Sequence, residues 1–146
     1  MPTGTRHDPH PRFQFSVDID GMVSSNFTEV SGLEFETEVI EYREGSEPST
    51  TRKVPGLTKF SEVTLRRGFT GNRDLWDWAH SIVQGTIDRR NVAIILLDQA
   101  RQQVLRWTVR SALPTKWIGP TLNASESEVA METIVLVHEG LEMETA

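Results

Sequence analysis

A chain of 146 residues fits one domain, able to bury roughly two-thirds of its unfolded surface, and 37% hydrophobic with 25% charged residues is ordinary for a soluble globular protein. A net charge of −6 argues against a surface that grips nucleic acid, though not against a conduit that nucleic acid passes through. There is no cysteine, which removes disulfides, thiolate metal sites and a thiol nucleophile.

Met1 to Arg12 is polar and proline-rich, so it is expected to be a flexible arm and not a signal peptide, with 13–146 forming a single β domain. No apolar run reaches membrane-spanning length, and the expected place of synthesis is the cytoplasm. Two sequons, at Asn26 and Asn123, read as chance without a secretory signal.

Phe13, Phe15, Val17 and Ile19 alternate with polar residues and predict a half-buried strand, closed by the turn signal Asp20-Gly21. A second strand runs to about Val30, and Ser31-Gly32 turns the chain again. Leu33 to Arg43 then alternates apolar and acidic residues. Leu33, Phe35 and Val39 suit a core, whereas Glu34, Glu36 and Glu38 suit water. Its return, Arg52 to Arg67, is expected to break at Pro55-Gly56, leaving Arg52 to Val54 as a short extension or an edge. It resumes with Val63 and Leu65 on one face and Glu62, Thr64 and Arg66 on the other. The connecting loop, Glu44, Gly45, Ser46, Glu47, Pro48, Ser49, Thr50 and Thr51, should project from the body.

Leu75, Trp76, Ala79, Ile82 and Val83 recur at helical spacing and predict a helix over Asn72 to Gln84, capped by Asn72 and stopped at Gly85. Trp76 and Trp78 lie about 200° apart around such a helix, so one should enter the core and the other face a neighbour. Val92 to Leu97 is apolar on both faces, as in a covered central strand. Val104 to Ala112 answers it with Leu105, Trp107 and Val109 inward, and Pro114 should end that strand. Thr115 to Ser125 should be a loop pinned by Trp117. A last strand, about Glu128 to His138, carries Val129, Met131, Val135 and Val137 on one face, with Ala130, Ile134 and Leu136 making the other partly apolar. Gly140 should break it, leaving Leu141 and Met143 to pack on a neighbour. The expected fold is mainly β: about eight antiparallel strands closing into a barrel or sandwich with one flanking helix, and a long hairpin left over.

Residues for catalysis are sparse. His7 and His10 fall in the arm, His80 reads as a partly exposed helix residue, and the pair Glu128 and Glu132 reads as a solvated strand face. No zinc-protease, phosphate-loop or dinucleotide motif occurs, so the chain reads as no enzyme, with no cofactor and no metal. Arg66-Arg67 and Arg89-Arg90 are dipeptides, not a basic stripe. Two readings remain. One is a monomeric barrel enclosing a small molecule. The other is self-assembly, in which unpartnered edges of a two-faced hairpin pair with other subunits and a ring closes them.

The run Val30-Ser31-Gly32-Leu33 with Val39-Ile40-Glu41-Tyr42-Arg43-Glu44-Gly45 resembles the inner hairpin of inner-tube proteins of contractile tails. Similar too are Pro55-Gly56, Leu75-Trp76-Asp77-Trp78, the run from Trp107 through Ala112-Leu113-Pro114-Thr115-Lys116-Trp117, and Asn123-Ala124 before Val129-Ala130-Met131-Glu132. The series covers about Phe13 to Met143, in the order of the family of phage-like contractile injection systems and myophage tails. The resemblance implies a structural subunit of hexameric rings stacked into a tube within a sheath and on a baseplate. Such a particle is extracellular or a virion tail, has no membrane anchor, and holds protein effector or DNA as cargo. Strands of all subunits would share one barrel around the lumen. Carried over by position, Glu34, Glu36 and Glu38, with Glu62, Thr64 and Arg66 opposite, would line the lumen. Glu44 to Thr51 would reach the adjacent ring, and the helix bearing Asn72, Trp76, Trp78 and His80 would meet neighbouring subunits.

Overall fold

A computed structural model describes residues 14–20, 22, 27–43, 45, 51–125 and 129–145. Period-two sequence dominates it, and strands follow: β1 (Gln14–Ile19), β2 (Phe27–Ser31), β3 (Phe35–Tyr42), β4 (Arg52–Phe60), β5 (Val63–Gly68), then helix α1 (Asp74–Val83), β6 (Arg90–Leu97), β7 (Gln103–Ile118), β8 (Met131–Val137) and β9 (Gly140–Thr145). All pairings among them are antiparallel.

The body is two layers joined by one strand. Val17 and Ile19 of β1, and Val92 and Ile94 of β6, turn inward, so β1, β6 and the first half of β7 pair as one layer, with β9 on the other side of β7. The second half of β7 pairs with β8, which carries β5 and then β2. Val63 and Leu65 of β5 and Ile134 and Leu136 of β8 close the core against Val109, Ala112, Leu75 and Trp78. The crossing lies at Ser111, whose φ of 53° bends the strand; its N–H donates to Asn91 Oδ1 at 3.0 Å.

Several expectations need correction here. Pro114 does not end β7, which runs on to Ile118 with a register shift after Pro114. Beyond Ala112 the strand paired with β7 is β8, so a missing N–H on the other side breaks no ladder. Residues Thr115 to Ile118 are therefore strand, not loop. Gly140 begins β9 instead of ending the sheet, and Leu141 packs on the subunit's own core while Met143 is exposed. In β8 the main core face is Glu132, Ile134 and Leu136, not the face of Val129, which is exposed. The described residues form nine strands, one more than the reading of about eight.

Helix α1 packs against β7. Its amphipathic spacing sends Leu75 and Trp78 inward, and Trp78 Nε1–H donates to the Asp88 carbonyl at 2.7 Å. The helix starts two residues later than expected, with Arg73 at the cap position making no side-chain cap bond. Asn72 Oδ1 still accepts the Asp74 N–H at 3.1 Å, so it organises the approach and not the cap. Gly85 closes the helix at φ 88°, with its N–H on the Ile82 carbonyl.

Candidate functional site

Strands β3 and β4 form a separate two-stranded sheet. Every residue of β3 is exposed, Phe35 at 62% and Val39 at 56%. This overturns the expectation that Phe35 and Val39 enter the core; only Leu33, before the strand, packs there. Nor does the return arm continue into β5. It ends at Phe60, and β5 pairs with β2 and β8. Pro55-Gly56 does not break β4, because Pro55 sits opposite Val39 in a ribbon with no third strand. The irregularity is instead a register shift, with Gly56-Leu57 standing opposite Glu38 alone.

The register fixes the faces. Glu36 pairs with Lys59, and after the shift Ile40 pairs with Val54 and Tyr42 with Arg52, so these residues share a face with Glu38. Glu36, Glu38, Leu57 and Lys59 together line a cleft of about 210 Å³. The opposite face carries Phe35 against Phe60, centroids 6.0 Å apart, and Thr37 Oγ1 against Thr58 Oγ1 at 3.0 Å. Phe60 lies 5.5 Å from the His138 ring of the body. At the root, therefore, the aromatic face turns towards the body and the Glu36–Glu38 face turns away from it.

Glu34 belongs to the root. Its N–H donates to Gly32, its carbonyl accepts from Ser61 N–H, and its carboxylate accepts from Ser61 Oγ at 2.9 Å. Gly32 makes this approach possible: at φ 88° a Cβ would collide with the Glu62 carbonyl oxygen. Glu62, Thr64 and Arg66 do not stand opposite the hairpin glutamates. Thr64 and Arg66 lie in β5, pointing away from the core that Val63, Leu65 and Arg67 face. Arg66 pairs with Glu29 of β2 at 3.1 Å. Of the loop Glu44 to Thr51, only the exposed Gly45 and Thr51 are among the described residues; Glu44, Ser46, Glu47, Pro48, Ser49 and Thr50 lie outside them.

On the helix the two tryptophans divide as the spacing requires. Trp78 is buried at 2% exposure, and Trp76 stands at the surface. His80 stacks on Trp76 at 4.9 Å, and Trp76 meets the edge of Trp117 at 4.9 Å. With Val83, Leu113 and Pro114 they line an open apolar groove of about 470 Å³ between α1 and β7.

One buried network carries charge. Arg67 donates to both Glu132 and Asp74, and Glu132 also accepts from Trp117 Nε1–H at 3.2 Å. Burial alone would lower the guanidinium's pKa, but hydrogen bonds and charges from Asp74 and Glu132 outweigh it, and the net direction is up. Glu132 is thus an ion-pair partner 1% exposed, not part of a solvated face. Composition carries no sign of it, since a glutamate between Met131 and Thr133 looks like any alternating polar residue. Lys59 and His138 are likewise inconspicuous in the sequence. The parity of β4 from Leu57 to Lys59 marks the first, and an imidazole just before Gly140 is a weak signal for the second.

The family model for T4-like virus tail tube protein gp19 matches residues 11–142. Among solved structures, a chain of the sheath–tube complex of an extracellular contractile injection system, PVC, in the extended state is 31% identical. The match covers 94% of this chain and 93% of that one at a TM-score of 0.83. A chain of the tube-terminating cap of the anti-feeding prophage is 28% identical, covering 99% and 97%, at 0.86. Hcp1 from Flavobacterium johnsoniae, 14% identical over 90% of this chain and 95% of its own at a TM-score of 0.60, shares the fold. The search of curated proteins gives no significant match.

Proposed function

Because this chain belongs to the T4-like virus tail tube protein family and is a structural tube subunit of the contractile injection kind, we propose that it forms hexameric rings stacked around a lumen. The observation that carries this reading is the β3–β4 ribbon, exposed along all of β3 and without a third strand. In water alone a two-stranded ribbon is marginal, and exposed edges with apolar flanks invite further strands. Ribbons from successive subunits, placed edge to edge, complete one barrel. The aromatic face is then covered by protein, and the face of Glu36 and Glu38 turns to the channel, with Glu34 at its root.

Lys59 and Leu57 share that face, and so the lining is charge-compensated beside the glutamates instead of uniformly acidic. Glu62, just before β5, and Thr64 and Arg66 on its outward side extend the lining from the root. The loop Glu44 to Thr51 reaches the adjacent ring, and the Trp76–His80 side of α1 meets the neighbouring subunit. Sheath and baseplate proteins are the other partners of an extracellular particle or virion tail, and the lumen holds protein or DNA cargo. The chain acts mechanically, without catalysis or cofactor.

Negative-stain electron microscopy of the purified protein tests the assembly. Rings or tubes are expected, and a strictly monomeric protein at high concentration would end the proposal. The absence of cysteine allows the lining to be mapped with single replacements. In tubes, Glu38→Cys should react with a small maleimide but not with a polymer-linked one too large to enter, whereas Thr37→Cys should be shielded from both.

A further inference from the structure

His138 follows β8 and stands before the bend into β9. Its half-buried ring reaches two backbone oxygens: Nε2 lies 3.0 Å from Ser61 O, and Nδ1 lies 3.1 Å from Gly140 O. Both are carbonyls, which only accept. A neutral imidazole has one N–H, so it can satisfy one of them and must turn a lone pair towards the other. The imidazolium donates to both. Ser61 belongs to the root of the β3–β4 ribbon, and Gly140 belongs to the body, so the ring spans the point where one leaves the other. Phe60, the last residue of β4, packs against the same ring.

We propose that His138 is a positioning residue whose protonation clamps the β3–β4 ribbon to the body. Charged groups from both sides surround this junction. From the ribbon side come Glu34, bound to Ser61 Oγ, and Glu62, next to Ser61. Lys59 sits on the face of β4 opposite Phe60. From the body come Glu139, 3.5 Å from Arg89, and Arg110 of β7, 3.2 Å from Glu142 of β9. Both arginines are thus matched by carboxylates, and Glu34 and Glu62 add negative charge on the ribbon side. The doubly donating form carries a proton on each ring nitrogen, so the clamp is complete when the imidazole is protonated. The neutral ring keeps one of the two bonds.

The inference goes beyond tube formation, because the root can be followed in a free subunit. Hydrogen–deuterium exchange of the full chain, read on peptides covering 32–36 and 60–63, tests it. Wild type and His138→Phe are compared at the same pH, which cancels the intrinsic pH dependence of exchange. At about pH 5.5 the wild type should exchange up to about tenfold more slowly than the variant, and by about pH 8 that ratio should fall several-fold. His138→Gln, which keeps an amide donor but does not titrate, serves in its place if the phenylalanine variant does not fold, and the ratio of wild type to this variant should likewise change between the two pH values. His80→Gln should retain the wild-type pH response. Equal ratios at the two pH values, or a response lost in His80→Gln, would overturn the proposal.

Discussion

Gly32 and Gly140 both sit where the chain passes close to something, but the obstacle differs. At Gly32 it is the Glu62 backbone, together with a positive φ; at Gly140 it is the Arg110 guanidinium, which an added Cβ would strike, and a half-exposed side chain can swing away. Gly32→Ala should therefore cost about 3 kcal/mol or more in urea unfolding, and Gly140→Ala under about 1 kcal/mol. Equal costs would refute the distinction. Glu132→Ala leaves the buried Arg67 with Asp74 as its remaining carboxylate in this network, and should cost about 3–5 kcal/mol. Because the Arg67 pKa is raised, its share of the stability is present at all ordinary pH and is lost only as pH climbs through that raised value. The deficit of the variant should be unchanged between about pH 6 and pH 9. The division of Trp76 from Trp78 could be read from helical spacing, because angle alone decides it. The Arg67–Glu132 pair could not, since its members are distant in sequence and nothing local marks them.

Among the elements, strand existence was legible where alternation was regular, as in β1 and β5, and in the unbroken apolar run of β6. Partner choice was not. The stretch Arg52 to Arg67 reads as one return arm, yet Ser61 and Glu62 separate two strands in different sheets. Prolines misled for one reason twice. Pro55 and Pro114 both lie where one side of the strand has no ladder, and a sequence does not show which strands are edges. Alternation also assigns parity without saying what covers each face, and so it placed Phe35 and Val39 in a core that the subunit does not provide. Val39→Asp checks this directly. With Val39 exposed in the free subunit, unfolding stability should change by less than about 0.5 kcal/mol, while tube formation seen by electron microscopy should be lost. A destabilised subunit would mean that the ribbon packs on its own body.

For the whole molecule, the body is self-sufficient and the ribbon is not. The core of the body draws on β1, β2, β5, α1, β6, β7 and β8, while β3 and β4 contribute no buried side chain to it. Replacing Glu44 to Thr51 by a short turn should leave folded subunits and single rings but no long tubes, as judged by circular dichroism and electron microscopy. Long tubes from that variant would remove the loop from ring stacking. The ribbon's lack of a core of its own has a further consequence in mass action. A segment that gains its burial only from other copies has an order that depends on how many copies are present, so dilution loosens it and concentration secures it. The first ring then carries the ordering cost of all its ribbons at once, and each later ring adds to a template already formed. On the proposed assembly, this makes spontaneous nucleation slow and growth from an existing ring fast, which favours tubes begun on a baseplate over tubes begun in free solution.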